Sequence, residues 1–357
     1  MRRTRSAAAL LLATVLAVLA VLVTGCGQDG GGTGGGTGGG TGGAQDSLAA
    51  ELAALDGVDD VRVGEEEVEA DLFVRQVVVD LAPDASTAQV AEVLRALAGA
   101  DTDRAEVHLG SGTTESLPGP SGAEVDGIWD VPEPEAADRW AGLLVAGAAA
   151  VEDGAVAVTT ADDPGAATSG PRLVVSLGDP APDPEAVGRV LDALAADPVL
   201  ADVDQVSVRA SDGGLLPAED GGPGRLEVTL ADGIDAAATE AWDALADAVD
   251  AWPRTGAVLP SGLALTRDDG PPRVVLDLAL SPHPAPRRLT TQAWGDRVWP
   301  LVRPVLDAVR DLPDGTRVAV TDGRGDDLVA VAVGGRAPGP DRLGRTWSAE
   351  SAAYLAR

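Results

Sequence analysis

Three stretches decide how this chain folds: RQVVVDL at 75–81, PRLVVSL at 171–177 and PRVVLDL at 272–278. Each opens on or next to an Arg, closes on Leu, and is dense in β-branched residues, which predicts a strand. A turn containing Pro and Asp, or Pro and His, follows each one. Next comes an apolar stripe: Val90, Val93, Leu94 and Leu97 in the first copy, then Val187, Val190, Leu191 and Leu194, then Val302, Val305, Leu306 and Val309. The spacing i, i+3, i+4, i+7 places each set on one face of a helix. A second strand then returns, as AEVHLG (105–110), DQVSVRA (204–210) and TRVAVTD (316–322).

Working outward, a further helix and strand precede each unit. Leu48, Leu52 and Leu55 form a stripe that Gly57 stops. Trp140, Leu143, Leu144 and Val151 form the second stripe, and Trp242, Leu245, Val249 and Trp252, ended by Pro253, the third. Strands are expected near 58–63, 155–160 and 256–266, with leading strands near Gly127–Val131 and Leu226–Leu230 in copies two and three. The β-α-β-β-α-β order resembles the ferredoxin-like split βαβ unit. That resemblance implies an α+β protein of tandem repeats of about 100 residues, each an antiparallel sheet with two helices on one face. The first copy, in α-β-β-α-β order, resembles the small BON-type envelope domains in topology, without their glycine signature. The expected limits are 46–122, 123–212 and 222–334, with a break near Trp299 where Pro300 and Pro304 enter the last helix. Residues 335–357 are expected as a flexible, Pro- and Gly-rich tail carrying a short helix at Ala349–Arg357.

The amino terminus reads MRRTRSAAALLLATVLAVLAVLVTGC. Arg2, Arg3 and Arg5 precede an apolar run from Ala7 to Val23, the charged and apolar regions of an export signal. The run ends in Val23-Thr24-Gly25-Cys26, which resembles a bacterial lipobox of the kind found in actinobacteria, whose GC-rich coding also suits the Ala/Val/Leu bias. The resemblance implies a signal peptide over 1–25, acylation of Cys26, and an anchor at the extracytoplasmic face of the cell membrane. Cys26 is the only cysteine, which excludes an intramolecular disulfide and any multi-Cys zinc site. Residues 26–45 then form a Gly/Thr-rich tether; ~19 such residues span roughly 25 Å as a flexible coil.

Fifty-seven acids face 26 Arg, for a net charge of −31. Three of the positive charges lie in the first 26 residues, where no acid occurs, leaving −34 on the remainder. Such a polyanion is repelled by phosphate backbones, so no nucleic-acid partner is expected.

Signals for chemistry are sparse. With no Lys in the chain, Schiff bases, Ser-Lys dyads and P-loop lysines are excluded. His108 alternates with Val107 and Leu109 and is expected to face solvent or the sheet–helix edge, whereas His283 sits in the proline turn SPHPAP. Trp140, Trp242 and Trp252 fall on apolar stripes and are expected in the core. Asp101-Thr102-Asp103 and the turn from Asp322 to Asp327, which contains Arg324-Gly325-Asp326, are expected as solvated turns without an EF-hand pattern. No catalytic residue, cofactor or metal ligand is assigned. The expectation is a non-catalytic binding or scaffold lipoprotein of the cell envelope, with a protein or cell-wall partner. The alternatives are a carboxylate-dependent glycan hydrolase, signalled by an Asp/Glu pair beside an exposed Trp129 or Trp347, and a calcium-dependent scaffold or sensor.

Overall fold

In the computed structural model, the described residues are 42–69, 72–100, 102–110, 126–151, 154–160, 170–177, 183–201, 203–211, 223–231, 233–253, 258–268, 270–280, 289–322, 327–341 and 344–357. The expected signal peptide, most of the tether, His283 and Arg324-Gly325-Asp326 lie outside them.

The elements run α1 (Gly42–Ala53), β1 (Val58–Glu69), β2 (Leu72–Leu81), α2 (Thr87–Ala98), β3 (Arg104–Leu109), β4 (Gly127–Ile128), α3 (Ala137–Ala150), β5 (Gly154–Thr160) and β6 (Pro171–Leu177). They continue with α4 (Pro184–Ala196), α5 (Pro198–Ala201), β7 (Gln205–Ser211), β8 (Arg225–Ala231), α6 (Ala236–Asp250), β9 (Val258–Arg267) and β10 (Arg273–Leu280). The last are α7 (Thr291–Ala293), α8 (Trp299–Val309), β11 (Arg317–Thr321), β12 (Asp327–Ala332) and α9 (Trp347–Leu355). A π-helical turn over Trp294–Val298 leads into α8, where the sequence places its break.

The strands do not form separate sheets. Among the described residues, all twelve join one mixed sheet in chain order, from β1 at one edge to β12 at the other. The expectation of tandem ferredoxin-like repeats is therefore wrong. In a split βαβ unit another strand lies between the two that a helix connects. Here the connected strands are direct neighbours, as in the parallel pairs Val77↔Ala105 (β2–β3), Val174↔Ser207 (β6–β7) and Val228↔Leu265 (β8–β9). Hairpin-like antiparallel pairs alternate with these, including β5–β6 and β7–β8. The unit that recurs is one helix followed by two antiparallel strands, half the length of the expected repeat.

Alternation along the strands sorts the faces. Val77, Val79 and Leu81, Val156 and Val158, Leu226, Val228 and Leu230 all join one core with the stripes of α2, α3, α4, α6 and α8. These helices lie side by side on that single face, with α2 against α3, α4 against α6 and α6 against α8. Strand direction reverses at each hairpin while the sheet always grows to the same side. Successive helices are consequently antiparallel, and successive crossovers are of opposite hand, a departure from the usual right-handed rule. Local signals fix the helix starts. Ser86 and Gln89 make a reciprocal capping box on α2, and Asp183 and Asp235 cap α4 and α6.

Trp140, Trp242 and Trp252 are buried in this core. The indole of Trp242 donates to the Pro184 carbonyl of α4 at 3.0 Å, and that of Trp252 to the Leu301 carbonyl of α8 at 2.9 Å, tying three helices together. The tail also differs from expectation. Helix α9 is seated on the molecule, with Trp347 buried and stacked on Trp294 at 4.8 Å, and Ser348 Oγ accepting the Ala330 amide of the edge strand β12. An aromatic plane and a paired edge amide give the segment contacts that composition did not indicate.

Trp242→Ala is expected to cost about 3–5 kcal/mol through cavity formation. Trp242→Phe, which keeps much of the volume and loses the indole donor, is expected to cost about 1–2 kcal/mol. Equilibrium urea unfolding of both variants checks the order.

Candidate functional site

Val23, Thr24, Gly25 and Cys26 lie outside the described residues, so their expected role rests on the sequence. Of the acidic turns, Asp103 accepts the Arg75 amide at 2.8 Å, and Asp322 is buried instead of facing solvent. Among the described residues no group of three or more His, Cys, Asp or Glu is arranged to hold a metal ion.

His108 departs from expectation. Alternation puts it opposite Val107, on the face without the crossover helices, but it is fully buried there. Register explains how: Asp80 lies across from His108 on β2, Gly127 across from it on β4, and Glu106 two residues before it on β3. His108 Nδ1 lies 3.1 Å from Asp80 Oδ1, and Nε2 lies 3.5 Å from Glu106 Oε2. Arg62 of β1 grips both Asp80 oxygens, at 3.0 and 2.9 Å. Glu106 Oε1 accepts from Arg104 at 2.9 Å and Gln76 at 3.2 Å. The His108 ring packs on Trp129 at 5.2 Å, and a Cβ at Gly127 would stand 2.9 Å from its Cδ2, so the glycine makes room for the imidazole.

Two buried carboxylates beside Trp129 match the sign named for a glycan hydrolase, but the chemistry differs. Trp129 is buried, not exposed, and so is Trp347. Each carboxylate is also tied to a guanidinium, Asp80 to Arg62 and Glu106 to Arg104. The network links the three strands β1, β2 and β3. A second ladder crosses the far half of the same face: Arg209 pairs Glu227 at 3.0 Å, and Arg225 reaches Asp277 at 3.5 Å over Gly262 of the intervening strand. Thr321 of β11 donates to the same Asp277.

The described residues form a more enclosed space at the carboxyl ends of the parallel strands β8 and β9, beside the start of α6. It is a cavity of about 370 Å³, lined by Leu230, Leu265, Ala238, Ala241, Leu312 and Pro313. Asp235 and Arg267 stand at it, with Arg267 Nη1 donating to Asp235 Oδ1 at 2.6 Å. Asp235 Oδ1 also accepts the Ala238 amide at 2.9 Å as the cap of α6. Burial pushes the Asp235 carboxyl up, but the hydrogen bonds from Arg267, Ala238 and Ala237 and the Arg267 charge outweigh it and hold the group below the ordinary Asp range. The wider groove between α6 and α8, floored by Ala244, Ala248, Pro300 and Pro304, is open to solvent.

No protein-family model, curated protein or solved structure matches the chain. The cavity is not legible in the sequence, because Asp235 and Arg267 lie on different elements and only a parallel β8–β9 pair brings them together. The Asp cap before an apolar helix was the one local clue.

Two outcomes are expected. Asp80→Ala should cost about 3–5 kcal/mol in urea unfolding, since Arg62 loses its carboxylate partner and the buried His108 Nδ1 loses its hydrogen-bond partner. Asp126, whose Oδ1 accepts the Val156 amide at 2.8 Å, is pushed up by burial, partly offset by that bond. Its folded-state value lies above 3.8, so its contribution is fully present below 3.8 and is lost as pH rises through the folded value. Asp126→Asn should therefore gain stability relative to the parent as pH rises through that window, measured by thermal melts from roughly pH 3 to 6.

Proposed function

We propose that this protein is an exported lipoprotein, held at the extracytoplasmic face of the cell membrane by acyl chains on Cys26, with a non-catalytic binding role in the envelope. The observation that carries the reading is the position of the sole cysteine, directly behind an apolar run and two small residues. One acyl chain holds a protein only marginally, whereas the two or three added at a lipobox cysteine anchor it stably. No described helix is long and apolar enough to cross a membrane. The Gly/Thr segment supplies reach, and the −34 charge beyond the signal disfavours contact with anionic headgroups and nucleic acid. A binding role is supported by the ligand-sized apolar cavity with two charged groups at it, the usual form of a small-molecule site.

Cys26→Ser, expressed in the native host with labelled palmitate, should lose the label and move from the detergent phase to the aqueous phase. Unchanged membrane fractionation at unaltered mass and without label would overturn the anchor.

A further inference from the structure

The cavity beside α6 has a charged mouth. One cation and one anion meet there, Arg267 with 18% and Asp235 with 55% of the side chain exposed, over an apolar interior. A ligand bearing only a carboxylate would meet Arg267 but be repelled by Asp235, and one bearing only an amine would meet the reverse. A ligand carrying both charges on one carbon meets both. A guanidinium has five N–H donors and the contact to Asp235 uses one through Nη1, while a carboxylate accepts at about four lone-pair positions. The interior, at about 370 Å³, lies in the size range of sites for small molecules. It lies at the carboxyl ends of two parallel strands, at the start of the helix joining them.

We propose that this cavity binds an apolar α-amino acid, with its carboxylate on Arg267, its ammonium on Asp235, and its side chain against Leu230, Leu265 and Leu312. The ligand class rests on the binding role above and is independent of the anchor.

The test is calorimetric titration of the full-length lipidated protein in detergent with four probes: L-leucine, L-phenylalanine, leucinamide and 4-methylpentanoate. The amino acids should bind, and leucinamide and 4-methylpentanoate, each lacking one charge, should bind at least about tenfold more weakly. Asp235→Asn, which keeps a good helix cap, should weaken L-leucine about tenfold and leave 4-methylpentanoate no weaker. Arg267→Gln should weaken L-leucine and 4-methylpentanoate alike and leave leucinamide no weaker. Unliganded melting curves of both variants establish that they are folded, and the probe series on the parent protein decides the matter without them. No heat from either amino acid at millimolar concentration overturns the proposal, as does 4-methylpentanoate binding as tightly as L-leucine. If both amino acids fail while 4-methylpentanoate binds the parent protein and its binding is lost in Arg267→Gln, the ligand class falls and the binding role stands. If all four probes fail, the cavity's support for the binding role falls as well.

Discussion

All the crossover helices pack on one face of a sheet whose strands stand in chain order, and most of what is unusual in this molecule follows. One face receives the leucines and valines of alternating strand positions and the stripes of α2, α3, α4, α6 and α8. The opposite face receives the intervening residues, many of them charged or hydroxylated. Where these are buried they must satisfy one another, because an unpaired charge away from water costs several kcal/mol. The Arg62–Asp80–His108–Glu106 network and the Arg225–Asp277–Thr321 ladder are the outcome, each spanning strands far apart in sequence. Such groups accept few alternative pairings. A strand slipped by one residue would turn Asp80 and Glu106 into the apolar core.

Much of the local structure was legible in the sequence. β-Branched runs gave β2, β6 and β10, and the 3.6-residue stripes gave α2, α4 and α8, because both patterns report which side of an element faces the core. Pairing was not legible. A βαβ segment has the same local pattern whether its two strands are neighbours or admit a third between them; what separates the cases is a tertiary choice. The right-handed rule favoured the split arrangement, since it allows both helices on one face with one hand of crossover. The chain instead keeps its helices on one face and alternates the hand. The apparent 100-residue period came from the strands at 75–81, 171–177 and 272–278 together with Trp140 and Trp242, which mark every second unit of a shorter repeat.

His108 shows a similar division. Alternation correctly set it opposite Val107, yet face is not exposure. Asp80 from β2 and Trp129 after β4 close around it, and neither is near it in sequence. The burial of Trp347 is hidden from the sequence for a related reason. The ring it stacks on, Trp294, lies 53 positions earlier, at the start of a π-helical turn that no short-range pattern announces.

The place of the cavity follows from the same topology. Because successive helices are antiparallel, the start of α6 lies beside the end of α8, where the chain passes through Leu312 and Pro313 before β11. That junction brings an Asp-capped helix start and the Arg at the end of β9 beside a pair of prolines before β10. Prolines and short apolar side chains pack less completely at such a corner than the leucines and tryptophans do mid-helix. The space remains because the corner is built from turns, and its charges remain because Asp235 is needed to cap α6 whether or not a ligand is bound. A helix cap that also faces a cavity has both a folding and a binding role available to it. Replacing Asp235 with Asn separates the two, since the amide keeps the cap acceptor and removes the charge.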